Sequence, residues 1–161
     1  SPLAIETSGH AALKENYFLD DGAYLVTRLI IKAAQLHRQG QTLDSLIANL
    51  EQPAEAVELR FTITAEDFTA LGNRILADLE QYAHEQGWQV ADDSAEGVRI
   101  SFDNTQGDGF LLLRMSVHDP VMPLNIESRQ TGGCRRIATA LAAFMRQQTG
   151  VDITKLEQFI A

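Results

Sequence analysis

Between residues 57 and 63 the chain alternates without a break, Val57, Leu59, Phe61 and Ile63 taking turns with Glu58, Arg60 and Thr62. Successive side chains of a strand point to opposite faces, so this stretch predicts a strand with one buried and one wet face. Such a strand suits an antiparallel sheet covered on one side, because parallel sheets are buried on both. A cover is at hand in the sequence. Phe68, Leu71, Ile75, Leu79 and Tyr82 recur three or four apart up to Gly87, the stripe of a long amphipathic helix. Thr64 reads as its cap, with Glu66 and Asp67 as acids of the first turn.

Beyond Gly87 the chain keeps to the same plan. A short strand is predicted at residues 88–90, and Val98, Ile100 and Phe102 alternate again. The turn at residues 103–109 holds two glycines and joins that strand, as a hairpin would, to an apolar run at residues 110–115. Met122, Leu124 and Ile126 mark the last strand; residues 131–148 read as a helix with Ile137, Leu141, Phe144 and Met145 inward, and a short helix comes near Thr154. Strand, helix, strands, helix predicts an α+β domain, its antiparallel strands in one sheet and its helices on one face.

The first fifty residues are patterned differently. Residues 3–6 are strand-like and deliver Glu6, Thr7, Ser8, Gly9 and His10 into a loop. Asp20, Asp21 and Gly22 open a helix with Leu25, Leu29, Ala33 and Leu36 at helical spacing, ending at Gly40. A second, shorter helix is predicted after Thr42, with Leu43, Leu46, Ile47 and Leu50 as its buried stripe. Pro53 marks a break, and a domain boundary is expected between residues 50 and 56.

Composition removes several functional classes. Asp and Glu number 22 against 13 Lys and Arg, a net charge of −9. That field repels nucleic acid and anionic membranes, whereas a small phosphorylated metabolite needs only a few local cations. Cys134 is the single cysteine and cannot form an internal disulfide, and no Cys or His spacing matches a zinc site. With no basic leader and no long apolar run, the expected setting is the reducing cytoplasm. The start on a strand-like run, without Met, predicts a piece of a longer protein.

Two polar loops carry chemistry. Arg114, Ser116 and His118 stand where one apolar run ends and the next begins, before Asp119 and Pro120. A guanidinium fork, a hydroxyl and an imidazole, with backbone N–H groups, are the donors that converge on a phosphate monoester. In the earlier loop, Glu6 and Ser8 suit the hydroxyls of a polyol, and His10 can exchange protons near neutrality. Arg135 and Arg136 lie in the first turn of the last long helix, which the helix dipole disfavours. They read as solvated charges before anion contacts. His37 and His84 lie near helix C-termini and read as structural, and Cys134 beside two arginines has no partner base in view.

In this order and about a hundred residues apart, the two loops resemble the end of the alpha-D-phosphohexomutase family, the phosphomannomutases and phosphoglucomutases. Ile5-Glu6-Thr7-Ser8-Gly9-His10 is similar to the family's G-E-x-S-G-H segment, and Asp21-Gly22 stands where an Asp-Gly pair opens the next helix. Arg114-Met115-Ser116-Val117-His118-Asp119-Pro120 resembles its R-x-S-G-T-E-P phosphate loop at Arg, Ser and Pro. The departures are Ile5 for the first Gly, and Val117 and His118 for Gly and Thr.

The resemblance covers essentially the whole chain. It implies that residues 1–52 are the helical tail of an α/β third domain and residues 53–161 a fourth, phosphate-binding domain of TATA-box-binding-protein-like α+β fold. By position it implies sugar contacts from Glu6 and Ser8, and His10 near the reacting hydroxyl as a general acid or base. Phosphate contacts are implied for Arg114, Ser116, the Val117 backbone and His118. The implied reaction interconverts hexose 1-phosphate and hexose 6-phosphate through a bisphosphorylated intermediate. For the full-length enzyme, Mg2+ and hexose 1,6-bisphosphate are implied, with the N-terminal domains of the same chain as partners. The phosphoserine and metal loops have no counterpart in this sequence, so the piece alone is expected to be inactive. A non-catalytic binding module and a piece of a phosphoglucosamine mutase are the alternatives.

Overall fold

The computed structural model describes residues 2–5, 9–92, 94, 96–116 and 119–161. They fall into two compact units, residues 1–51 and 52–161.

The larger unit is built on a six-stranded sheet in the order β4-β5-β6-β7-β3-β8, every neighbouring pair antiparallel. Its strands are β3 (Glu55–Ile63), β4 (Gln89–Val90), β5 (Val98–Phe102), β6 (Gly109–Leu113), β7 (Val121–Ser128) and β8 (Val151–Asp152). Helices α2 (Phe68–Glu85), α3 (Gly133–Met145) and α4 (Thr154–Ile160) bury their apolar faces against one side. Phe61, Ile100, Leu111, Leu113, Leu124 and Ile126 from the sheet meet Ile75 and Leu79 of α2, and Ile137 and Leu141 of α3; all are fully buried. The opposite face stays open, which is the division that the alternation in β3 predicts.

Local chemistry sets the element ends. Asp67, not Thr64, caps α2: its carboxylate accepts from the N–H of Ala70 at 2.9 Å, while the Thr64 N–H donates to Gly150. The N-terminus of α3 is capped from a distant strand. Glu55 accepts from the N–H groups of Gly132 and Cys134 at 2.6 and 3.2 Å, and these bonds to its ionised form hold its carboxyl below the usual range. β8 is an addition to the strands expected from the sequence.

The smaller unit holds the hairpin β1 (Leu3–Ile5) and β2 (Ala11–Leu13), helix α1 (Gly22–His37) and two short 3₁₀ turns. The Asp21 side chain accepts from the N–H of Tyr24 and starts α1 as the sequence predicts. The helix expected after Thr42 is instead one 3₁₀ turn, Leu43–Leu46. Its expected stripe of Leu43, Leu46, Ile47 and Leu50 is exposed, not buried. A four-residue turn is too short to sustain an i, i+3, i+4, i+7 face, whatever the spacing in the sequence.

Candidate functional site

Each polar loop is rooted in its own unit. Register pairs Ile5 with Ala11, so residues 6–10 are the connection of the β1–β2 hairpin. Glu6, Thr7 and Ser8 lie outside the described residues. Gly9 takes φ 90°, open to glycine and strained for other residues. The exposed His10 imidazole comes within ion-pair range of Asp20, Nδ1 to Oδ2 3.7 Å, and Asp20 itself bridges to β2 at Ala12. The sequence alone gives Asp20 only a capping role; the doubled acid before Gly22 is the available signal, since one carboxylate suffices for a cap and Asp21 supplies it.

The phosphate-type loop leaves β6 at a point that β7 dictates. Arg114 donates its N–H to Pro123 at 3.1 Å, but Pro123 has no N–H to return, so the ladder loses a rung there. The chain regains β7 two residues later, where Ser116 donates to the Val121 carbonyl at 2.9 Å. The Ser116 hydroxyl accepts from the N–H of Asp119 at 3.3 Å, closing the turn internally. Val117 and His118 lie outside the described residues.

Two glycines that carry no motif in the sequence hold the root of this loop. A Cβ on Gly97, at φ 75°, would stand 2.2 Å from the Leu113 carbonyl oxygen and 2.7 Å from the Arg114 Cα. A Cβ on Gly72 would overlap the Met115 thioether, so that side chain packs into the space α2 leaves at this position. A glycine inside a helix costs about 1 kcal/mol relative to alanine and so asks for a packing reason. That cost is the signal in the sequence.

Arg114 is half-buried. Among the described residues its guanidinium makes no hydrogen bond or close ion pair; it contributes at longer range to holding the Glu58 carboxyl below its usual range. The larger causes there are the hydrogen bond and charge of Arg60, with Asn125 adding a further bond. Arg114 and Ser116 lie on the connection between β6 and β7, at one end of the sheet.

The remaining sequence candidates are engaged structurally. Arg135 donates twice to the Ile160 carbonyl, at 3.1 and 2.7 Å, and Arg136 donates to the Gln130 side chain. Cys134 is fully buried, and burial, then the Glu55 charge, pushes its thiol up to about 11, away from a reactive thiolate. Among the described residues no group of three or more His, Cys, Asp or Glu side chains is placed to hold a metal ion. No described helix is long and apolar enough to cross a membrane.

The architecture has a counterpart among solved structures. The chain superimposes with a TM-score of 0.66 on a phosphoglucomutase/phosphomannomutase family protein from Burkholderia thailandensis, covering 94% of this chain and 30% of that one at 24% identity. An α+β fold with a six-stranded antiparallel sheet under helices thus fits the C-terminal domain of that family. By sequence the chain is 25% identical over 148 residues to the phosphoglucosamine mutase of Burkholderia pseudomallei, 91% of this chain and 27% of that protein. No family model matches. The chain thus spans less than a third of the length of either relative, and the two likenesses together support the phosphohexomutase family.

Proposed function

We propose that this chain is the C-terminal segment of a phosphohexomutase that interconverts hexose 1-phosphate and hexose 6-phosphate through a bisphosphorylated sugar. It supplies sugar and phosphate contacts, and the phosphoryl-carrying serine belongs to another part of the protein. The observation that carries this reading is Arg114: a residue whose backbone is fixed by Gly97 and Pro123, half-buried, and whose guanidinium has no hydrogen-bond partner among the described residues. A fork held in place with its donors unspent is ready for a bidentate bond to a phosphate.

The reading assigns Glu6 and Ser8 to sugar hydroxyls and His10, beside Asp20, to proton exchange at the reacting oxygen. Ser116, the Val117 backbone and His118 join Arg114 on the phosphate that is not being transferred. Holding the idle phosphate keeps the substrate near the site while its other end reacts, which raises effective concentration. Magnesium and hexose 1,6-bisphosphate belong to the whole enzyme in this reading.

The surface of the smaller unit supports a partner in the N-terminal domains of the same protein. Helix α1 leaves Val26, Leu29, Ile30 and Ile31 exposed, an apolar surface of the kind that marks a contact with another part of a protein. A cytoplasmic setting accords with the free cysteine and with the phosphorylated substrate.

Titration of the chain with mannose 1-phosphate, read by backbone amide shifts, tests the reading. Signals of Arg114 and Ser116 are expected to move at millimolar ligand and to stay still in Arg114→Ala; no movement in the wild-type chain refutes the assignment. Glucosamine 1-phosphate and glucose 1-phosphate run in parallel rank the sugar preference.

A further inference from the structure

We propose that Arg60 is a second guanidinium of the phosphate grip, acting with Arg114 across the open face of the sheet. The inference rests on the reading of Arg114 as a phosphate ligand. Register places the two residues on either side of one β7 residue: Arg60 is paired with Pro123 in β3–β7, and Arg114 donates its N–H to the same Pro123 from the other side. All three point away from the helices, because their chain neighbours Phe61, Leu113 and Leu124 are buried in the core. Two strand spacings separate the arginine backbones by roughly 10 Å, which two side chains of this length can close around one anion.

Pro123 adds a second observation. It is buried although it faces the side that no helix covers. The long side chains placed to cover it are those of its cross-strand neighbours, whose methylene stems can lie on the ring and leave the charged heads above it.

Glu58 explains how two cations can be stored side by side without a ligand. It lies two residues before Arg60 on the same face and accepts from Arg60 Nε at 2.6 Å. Its charge also couples to Arg114. The Glu58 bond takes the Nε of Arg60, and the Nη groups make no hydrogen bond among the described residues. The remaining arginine of this face, Arg99, is already placed, its Cζ 4.2 Å from the Phe110 ring centroid.

The test uses inorganic phosphate as the probe at constant ionic strength, with dissociation constants read from the amide shifts of Arg114 and Ser116 and folding checked by thermal melts. Arg60→Gln and Arg114→Gln are each expected to weaken phosphate by roughly tenfold, the scale of one charge-assisted hydrogen bond. Arg60→Lys, which keeps the charge but not the fork, should recover part of that loss, and Arg99→Gln should leave binding unchanged. Full affinity in both Arg60 variants alongside a loss in Arg114→Gln overturns the role of Arg60 and leaves that of Arg114 standing. Equal losses in Arg60→Gln and Arg99→Gln reduce the effect to a general field and also overturn it. Absence of any response at Arg114 and Ser116 in the wild-type chain overturns both assignments.

Discussion

The two units of this chain have similar proportions of apolar residues in their helices and opposite fates for them. In residues 52–161, alternating strands and striped helices close on a core that buries Phe61, Leu111, Ile126, Leu141 and their neighbours completely. In residues 1–51, among the described residues, only Ala11 and Leu36 are buried apolar positions, while Ile30, Ile5 and Leu50 keep more than 60% of their surface. A hydrophobic pattern states that a face needs a partner. It does not state that the partner lies nearby in the same chain.

The contrast can be pressed by mutation, beginning with the core. Leu111→Ala is expected to cost about 2–5 kcal/mol of unfolding free energy, whereas Leu29→Ala on α1 should stay within about 0.5 kcal/mol. Urea titrations tracked separately by a signal from each unit compare them directly, and equal losses would erase the distinction. Glycines give the next largest effect. Gly97→Ala meets both a positive φ and the Leu113 carbonyl, and should cost about 2–4 kcal/mol and displace the Arg114 and Ser116 resonances. Gly40→Ala has φ 70° but nothing within 4 Å, so it should cost only about 1 kcal/mol.

The smallest effect is present at neutral pH and fades in acid. Glu55 has its carboxyl lowered by the N–H groups at the start of α3. Its folded value lies below its unfolded one of about 4.3, so its contribution is complete above that pH and fades as the pH falls through the folded value. Glu55→Gln should therefore lower the melting temperature at pH 7 and narrow the gap to wild type as the pH drops from about 5 toward 3. A gap that does not change with pH would remove the carboxylate charge from the account.

Much of the larger unit is legible in the sequence because periodicity and burial agree there. The alternation in β3 and β5, the stripe of α2 and the inward positions of α3 are each long enough to define a period. Where a segment is only two or three residues long a period is too weak to decide: β1 and β4 are expected from the sequence, β2 and β8 are not. The Leu43 to Leu50 stripe fails for a different reason, since helical spacing survives in a sequence even where the backbone makes only a single turn. Of the candidate site, Arg114 and Ser116 can be found from their side-chain chemistry. Gly97, Gly72 and Pro123 cannot, because their contribution is an absence, of a Cβ in two cases and of an N–H in the third. Arg60 is hidden by the same alternation that reveals β3: a charged residue on the wet face of a strand looks like solvation until register shows what stands beside it.

Pro123 also separates two kinds of specification. Where the strand pair ends is written in β7 and in the glycines beneath Arg114, whereas the side chains that the proposed grip would use are written elsewhere in the sequence. Anchor and cargo can therefore change independently: replacing Arg60 or Ser116 should leave the end of the β6–β7 pair where Pro123 and Gly97 put it.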